Sequence, residues 1–301
     1  MRDFPLVTLV TPTFNQGLFL SATIESVLAQ DYPNIEYIVI DDGSTDDTKL
    51  VIDQFSDRVQ CYFQPNQGQA NALNNAWGKA KGTLLGYISS DDLLENNSVS
   101  EMVRMLQINT EAVVAYCDFD LIDDRGASFR TVYTEDFNMS RLCVDIVCLP
   151  GPGALFRRSI VDSLGGWNES LQHVPDYEFW LRASKKGPFV RVPVVLAKFR
   201  VHEGSASFRP TTAKRSAEII QVVSEYWSGV SGPEVKRALA NAHLIAARSH
   251  AQSGRFVDSV REWCRAIKWR PLSGLSVAAF STVLSGAFRR LAYKFWFLMH
   301  R

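Results

Sequence analysis

Two adjacent carboxylates, Asp91 and Asp92, close the apolar run Leu84-Leu85-Gly86-Tyr87-Ile88-Ser89-Ser90. Neighbouring carboxylates at the end of a buried strand repel and raise each other's pKa unless a cation neutralises them, so the pair marks a place for a metal ion. A second pair, Asp41-Asp42, ends another apolar run, Ile35-Glu36-Tyr37-Ile38-Val39-Ile40. Two acidic strand ends in one chain predict a single site at the carboxyl edge of an open α/β sheet, where ligands of such folds bind.

The elements that must position these groups alternate from the start. Leu6 to Val10 reads as a strand, Thr11-Pro12-Thr13-Phe14-Asn15-Gln16-Gly17 as a turn, and Leu20, Ile24, Val27 and Leu28 as the apolar stripe of a helix. The strand Ile35 to Ile40 runs into Asp41-Asp42-Gly43-Ser44, where Ser44 with Asp47 predicts a capping box opening a helix through Phe55. A strand over Arg58 to Phe63, a helix over Gln69 to Ala80 and a strand over Thr83 to Ser89 continue the alternation, followed by a helix over Ser98 to Ile108 and a strand over Ala112 to Tyr116. Such alternation predicts an α/β fold with a mostly parallel, doubly wound sheet. Asp118 to Ser140 reads as hairpin and loop, and Pro150-Gly151-Pro152-Gly153 is the densest turn signal in the chain.

Beyond His202 the character becomes helical, which divides the chain into residues 1–210 and a helical extension over 211–301. Ala238 to Pro271, with Gly254 between two apolar patterns, suggests one tetratricopeptide-like helical hairpin. Leu275 to Arg301 combines Phe280, Leu284, Phe288, Leu291, Phe295 and Trp296 with Arg289, Arg290, Lys294 and Arg301. Its charges break the apolar run short of the ~18 to 20 residues that a spanning helix needs. Two readings stay open for it: a basic amphipathic helix in peripheral contact with a membrane surface, or a helix docking its aromatic face on the rest of the chain.

Lys+Arg and Asp+Glu number 32 each over 301 residues, so no global field draws nucleic acid. The five cysteines are odd in number and free of any CxxC spacing, which argues against a disulfide framework or a zinc site and for a reducing cytoplasm. The segment Met1-Arg2-Asp3-Phe4-Pro5 enters a strand without a signal-peptide apolar core, and export is not expected.

The ordered set Thr11-Pro12-Thr13-Phe14-Asn15, Asp41-Asp42-Gly43-Ser44-Thr45-Asp46, Asn66-Gln67-Gly68-Gln69-Ala70-Asn71, Ser89-Ser90-Asp91-Asp92 and Asp176-Tyr177-Glu178-Phe179-Trp180-Leu181-Arg182 resembles family 2 glycosyltransferases of the GT-A fold. The resemblance covers about residues 5 to 205. It implies that Pro12, Thr13 and Asn15 line a base and ribose pocket and that Asp42 accepts from the uracil or the ribose; a bare turn and helix cap is the other reading of Asp42-Gly43-Ser44. Gln69 and Asn71 become candidates for nucleotide or sugar contacts, or residues of a helix start that caps itself. Asp91 would hold Mg2+ or Mn2+ against the phosphates of the leaving nucleotide, with Asp92 on metal, sugar or backbone. The family pattern commonly carries an acidic residue where this chain has Ser89, which lowers the carboxylate count. His202 is placed to reach the metal or the pyrophosphate and Arg200 to pair with phosphate, although a lone histidine is also a common structural residue.

Inverting transfer requires a carboxylate that takes the proton of the attacking hydroxyl, and Asp176 is the candidate: it precedes an aromatic helix whose N-terminus favours an ionised acid. The other reading of Asp176 is a helix cap. Pro150 to Phe156 implies part of the acceptor side, and Trp167 either stacks on a sugar or packs in the core. The resemblance implies a metal-dependent transfer from a nucleotide-sugar donor, UDP-linked, to a glycan or lipid-linked acceptor, in the cytoplasm or at the inner face of the cell membrane. The rivals are a non-catalytic sugar-nucleotide-binding scaffold and a nucleotidyltransferase, although the latter needs a basic glycine-rich loop that Thr11 to Gly17 lacks. No GxGxxG follows the first strand, which disfavours a dehydrogenase.

Overall fold

A computed structural model describes residues 4–202, 204–205 and 212–270. The apolar runs become strands β1 (Val7–Thr13), β2 (Ile35–Asp41), β3 (Gln60–Phe63) and β4 (Leu84–Tyr87), separated by helices α1 (Gly17–Leu28), α2 (Thr48–Asp53) and α3 (Gln69–Lys79). These four strands pair in parallel in the order β3-β2-β1-β4. The register sets Thr13 beside Asp41, which brings the ends of β1 and β2 to one sheet edge.

The second half of the sheet is mixed. After the short β5 (Leu93–Leu94) and α4 (Ser98–Ile108) come β6 (Val114–Ile122), β7 (Ser128–Val132), β8 (Leu155–Arg157), α6 (Arg158–Leu164), α7 (Pro175–Ala183) and β9 (Phe189–Arg200). Strand β8 runs antiparallel to both β4 and β6, while β6 and β9 pair in parallel. The helix over Ser98–Ile108 has the bounds its periodicity predicts. Strand β6 instead continues six residues past its expected end at Tyr116, because the Asp118 carboxylate is neutralised by Arg191 at 2.7 Å and accepts the Thr134 amide at 2.8 Å.

Both faces of the sheet are covered. Leu9, Leu20, Ile24, Val39, Ile52, Met102 and Leu155 are buried in one layer with α1, α2 and α4. On the other, Trp77 of α3 stacks on Phe179 of α7 at 6.0 Å and meets Phe156 edge-on at 5.4 Å. Adjacent residues Leu155 and Phe156 serve opposite layers, as strand alternation requires.

The chain forms two compact units, residues 1–137 with 148–205, and residues 138–147 with 206–301. Within the second, α5 (Met139–Cys143) and its flanks are tied to the helices: the Trp227 indole donates to Cys143 O at 3.1 Å and Asn241 to Val144 O at 2.9 Å. The unit otherwise comprises α8 (Ala213–Tyr226), α9 (Pro233–Gln252) and α10 (Phe256–Trp269), with Gly254 turning between the last two at φ 78°. Among the described residues no helix is long and apolar enough to cross a membrane, and the segment Leu275 to Arg301 lies outside them.

Candidate functional site

The β1 and β2 ends are laced together by side chains. Asn15, at φ 52°, donates its amide to the Ser44 hydroxyl at 2.9 Å and accepts from the Thr45 amide at 2.7 Å. The exposed amides opening α1 are met in the same way, Gln16 N by the Thr48 hydroxyl at 3.0 Å and Gly17 N by Asp46 at 3.1 Å. Here the expected capping box gives way to another arrangement. The Ser44 hydroxyl donates to Asp41 at 2.5 Å, and Asp47 sits at the N-cap of α2 without a side-chain cap bond. Asp46 takes the Thr48 amide and hydroxyl instead, because it must also reach Gly17 across the loop. Burial pushes the Asp46 carboxyl up, but these hydrogen bonds outweigh it and hold it below its ordinary range.

Asp42, a buried residue, clamps the loop that leads into α3. One carboxylate oxygen accepts from Gln64 Nε2 at 2.8 Å and Gln67 N at 2.9 Å, the other from Gly68 N at 2.8 Å. A carboxylate has about four acceptor positions, so the clamp leaves room for one further donor. The neighbouring Gly43 adopts φ 81°, and a Cβ there would stand 2.8 Å from Asn66 N, so the two loops meet only because the residue is glycine. Pro12 and Thr13 lie at the end of β1 beside these loops, and the buried Thr13 hydroxyl has no hydrogen-bond partner among the described residues.

Gln69 is exposed at the first turn of α3. Asn71 faces elsewhere: it accepts from Gln64 at 3.1 Å and donates to Glu169 at 3.0 Å. Asn74 completes a latch on the same loop, accepting from Trp167 N at 2.8 Å and donating to Trp167 O at 2.8 Å and Glu169 at 2.9 Å. Hydrogen bonds from Asn74 and then Asn71 hold the Glu169 carboxyl below its usual value. Trp167 is buried with its ring 5.0 Å from Tyr87, so its role here is packing.

The strongest convergence is at the end of β4. His202 Nε2 lies 3.0 Å from Asp91 Oδ2. Arg200 donates its backbone amide to Asp92 Oδ1 at 2.9 Å and its Nε to Asp91 O at 2.8 Å, and it anchors Nη1 on Asp123 O at 3.0 Å. Phe19 of α1 supports both basic groups, 4.7 Å from the His202 ring and 4.9 Å from the Arg200 guanidinium. Asp92 is only 2% exposed. Burial, then the charge of Asp91, pushes its carboxyl well above the ordinary range against the opposing pull of Arg200. Burial likewise pulls the Arg200 guanidinium down, although Asp91 and Asp92 favour its charge.

Asp176 stands in the first turn of α7, after Pro175 at a position where proline's fixed φ favours the helix start. Desolvation, then the charges of Asp176, Cys148 and Asp92, hold the Tyr87 hydroxyl well above its ordinary pKa. Tyr87 ends β4, the strand that leads to Asp91 and Asp92. Four residues escaped the reading of the sequence. Phe19 and Thr23, which donates to Asp92 O at 2.8 Å, looked like ordinary positions of an amphipathic helix. Asn74 and Glu169 carry no motif, and only their meeting across the fold gives them a role.

A divalent ion at this site fits the chain's donors. Asp91 and His202 offer one oxygen and one nitrogen close together, a set Mn2+ accepts and in which Mg2+ uses the carboxylate. Among the described residues no group of three or more His, Cys, Asp or Glu is placed to hold a metal. The remaining ligands would therefore come from substrate phosphate and water, as is usual for Mg2+ sites.

Residues 8–165 match the family model described as Glycosyl transferase family 2. An uncharacterized glycosyltransferase of Rickettsia typhi is 30% identical over 233 residues, which are 75% of this chain and 71% of that protein. Chondroitin synthase of Escherichia coli is 26% identical over 213 residues, 69% of this chain and 31% of the synthase. The fold is shared with a fragment of S. aureus TarS solved with UDP-GlcNAc, at TM-score 0.70 and 14% identity over 96% of this chain and 91% of the fragment. It is shared too with the mannosyltransferase PcManGT of Pyrobaculum calidifontis, solved with GDP-Man and Mn2+, at TM-score 0.63 and 19% identity over 99% of this chain and 84% of that one.

Proposed function

The chain belongs to glycosyl transferase family 2, and from that premise we propose an inverting, metal-dependent glycosyltransferase that moves a sugar from UDP to a hydroxyl of a glycan or lipid-linked glycan. The observation that carries this reading is the meeting of Asp91, Asp92, Arg200 and His202 at the end of β4, with Asp176 in the first turn of α7 as the candidate base. The donor complexes of TarS with UDP-GlcNAc and of PcManGT with GDP-Man support a nucleotide sugar in a fold of this kind.

Asp176 accepts the proton of the acceptor hydroxyl as its oxygen attacks the anomeric carbon from the side opposite the leaving group. The new C–O bond forms while the bond to the diphosphate breaks, the electron pair departs with the diphosphate, and the configuration inverts. Asp91 and His202 would hold Mg2+ or Mn2+, which supplies charge to stabilise the departing diphosphate. Asp42 takes one donor from the base or ribose at its remaining acceptor position, and the unpartnered Thr13 hydroxyl gains a partner there. Asn71, held by Gln64 and Glu169, shapes the pocket wall. Arg200 has a guanidinium committed to backbone carbonyls, so it aligns Asp91 and Asp92 and leaves the phosphates to other groups.

All five cysteines are free thiols, which supports a reducing compartment such as the cytoplasm. Residues 1–210 serve as the catalytic domain in this reading, and the helices after them as an extension. Calorimetry with UDP, GDP and dTDP, each with Mn2+ and with EDTA, tests it. Metal-dependent binding of UDP that disappears in Asp91→Ala is the expected result; indifference to all three nucleotides would favour the non-catalytic scaffold.

A further inference from the structure

The helical unit carries a groove that the transfer chemistry does not use. A cavity of about 420 Å3 is lined by α9 and α10, and one of about 370 Å3 by the end of α8, the first half of α9 and Trp269; they share His243 and Trp269. Each is within the size range of small-ligand sites. Arg265 and Lys268 line the first, and Trp227 and Lys236 the second. Buried Val235 and Leu239 add an apolar floor.

The polar part of the groove is built. His243 Nδ1 meets Glu262 Oε2 at 2.7 Å, and Arg265 Nη1 lies 2.6 Å from Glu262 Oε1. Glu262 is buried and paired with Arg265, so it adds no exposed negative charge. Above this floor, Lys236, Arg265 and Lys268 are exposed, and Trp269 keeps 40% of its surface open. Trp227 is fixed by its indole bond to Cys143 O at 3.1 Å. Two lysines, Lys236 and Lys268, flank two indole rings while Arg265 is held by Glu262, and this arrangement suits a ligand that is anionic and has flat, weakly apolar faces. A saccharide bearing carboxylate or phosphate groups combines those features: its C–H faces stack on indole and its acids take charge-assisted hydrogen bonds.

We propose that this groove binds an acidic saccharide segment, holding the acceptor chain at a second site outside the transfer centre. The assignment of the bound chain as acceptor rests on the glycosyltransferase reading, whereas the groove's affinity does not. The test is calorimetry on the full chain in EDTA without nucleotide, using a hexameric galacturonate, a neutral maltohexaose of equal length, and inorganic polyphosphate. The galacturonate is expected to bind at least about tenfold more tightly than either comparison, and Trp269→Ala and Lys268→Gln to weaken it about tenfold each, from the loss of a stacking face or a charged contact. The same two variants should melt as the parent does and leave UDP binding with Mn2+ unchanged, which separates a lost site from a lost fold. No galacturonate binding, binding indifferent to Trp269→Ala, or polyphosphate bound equally well overturns the proposal. Repeating the titration on Asp176→Asn keeps the two readings apart, because a failure of transfer chemistry leaves binding in the groove intact.

Discussion

His202 Nε2 and Asp91 Oδ2 lie 3.0 Å apart although 111 positions separate them in the chain. The other ring nitrogen, Nδ1, accepts the Gly204 amide at 3.2 Å, which assigns the imidazole proton to Nε2 and directs it at the carboxylate. If Asp91 and His202 hold a divalent ion, His202 would offer it the Nε2 lone pair and carry its proton on Nδ1, at the expense of the Gly204 contact. Nitrogen NMR of His202 during titration with Mg2+ and UDP should record this change of tautomer. His202→Ala should reduce transfer by roughly 10–100-fold, the scale seen when a partner of a metal site is removed, while thermal unfolding in EDTA stays close to that of the parent. An unchanged imidazole signal at saturating Mg2+ and UDP would remove His202 from the metal.

Asp176 carries the second prediction. Loss of a general base costs about 10²–10⁴-fold, so Asp176→Asn should retain metal-dependent UDP affinity and lose turnover by that order. The change keeps the shape of the side chain in the first turn of α7, so thermal unfolding should move little. Val174, and not Asp176, is the N-cap of α7, so full turnover in this variant would leave Asp176 as a first-turn acid that complements the helix N-terminus.

The raised pKa of Asp92 predicts how stability depends on pH. Its carboxyl titrates above its unfolded value because it is buried and beside Asp91, so between those two values the folded chain holds more protons than the unfolded one. Its contribution is therefore most favourable below the unfolded value near about 4, and is lost as pH rises through the folded value. Asp92→Asn, which can still accept the Arg200 amide, should flatten this slope and melt no lower than the parent at pH 7 to 8 when metal is absent. Urea midpoints across the pH series in EDTA would show it, and a parent stability that climbs from pH 4 to 8 as steeply as the variant's would contradict the assignment.

The sequence announced the elements more clearly than their joinery. Strands β1 to β4 and helix α4 were legible because apolar periodicity is local, and the acidic pairs marked the sheet edge for the same reason. The end of β6 was not. Asp118 and Asp120 looked like loop residues, although two polar positions in alternation also suit one face of a strand, and only the distant Arg191 shows that Asp118 is neutralised there. The place of Asp42 after β2 makes it a candidate site residue, but its grip on Gln67 N and Gly68 N depends on how two loops approach, which no spacing encodes. Asn71 was assigned to ligand by motif, whereas its amide faces Glu169, 98 positions away.

The latch between α3 and the loop before α7 yields a final prediction. A Cβ on Gly166 would stand 1.9 Å from Asn74 Oδ1, a distance that cannot be relieved without moving the amide. Asn74 would then release Trp167 N and O together, leaving backbone groups beside a buried indole unpaired. The bonds are part-buried and each is worth about 0.5–1.5 kcal/mol, so Gly166→Ala should destabilise by about 1 kcal/mol or more. Asn74→Ala creates the same orphans without the clash and should cost less. Because Trp167 packs on Tyr87 at the end of β4, both variants should also lower turnover at temperatures well below unfolding. Denaturant melts of the two variants beside the parent decide it: equal stability of Gly166→Ala and the parent would mean that the loop is not held by Asn74.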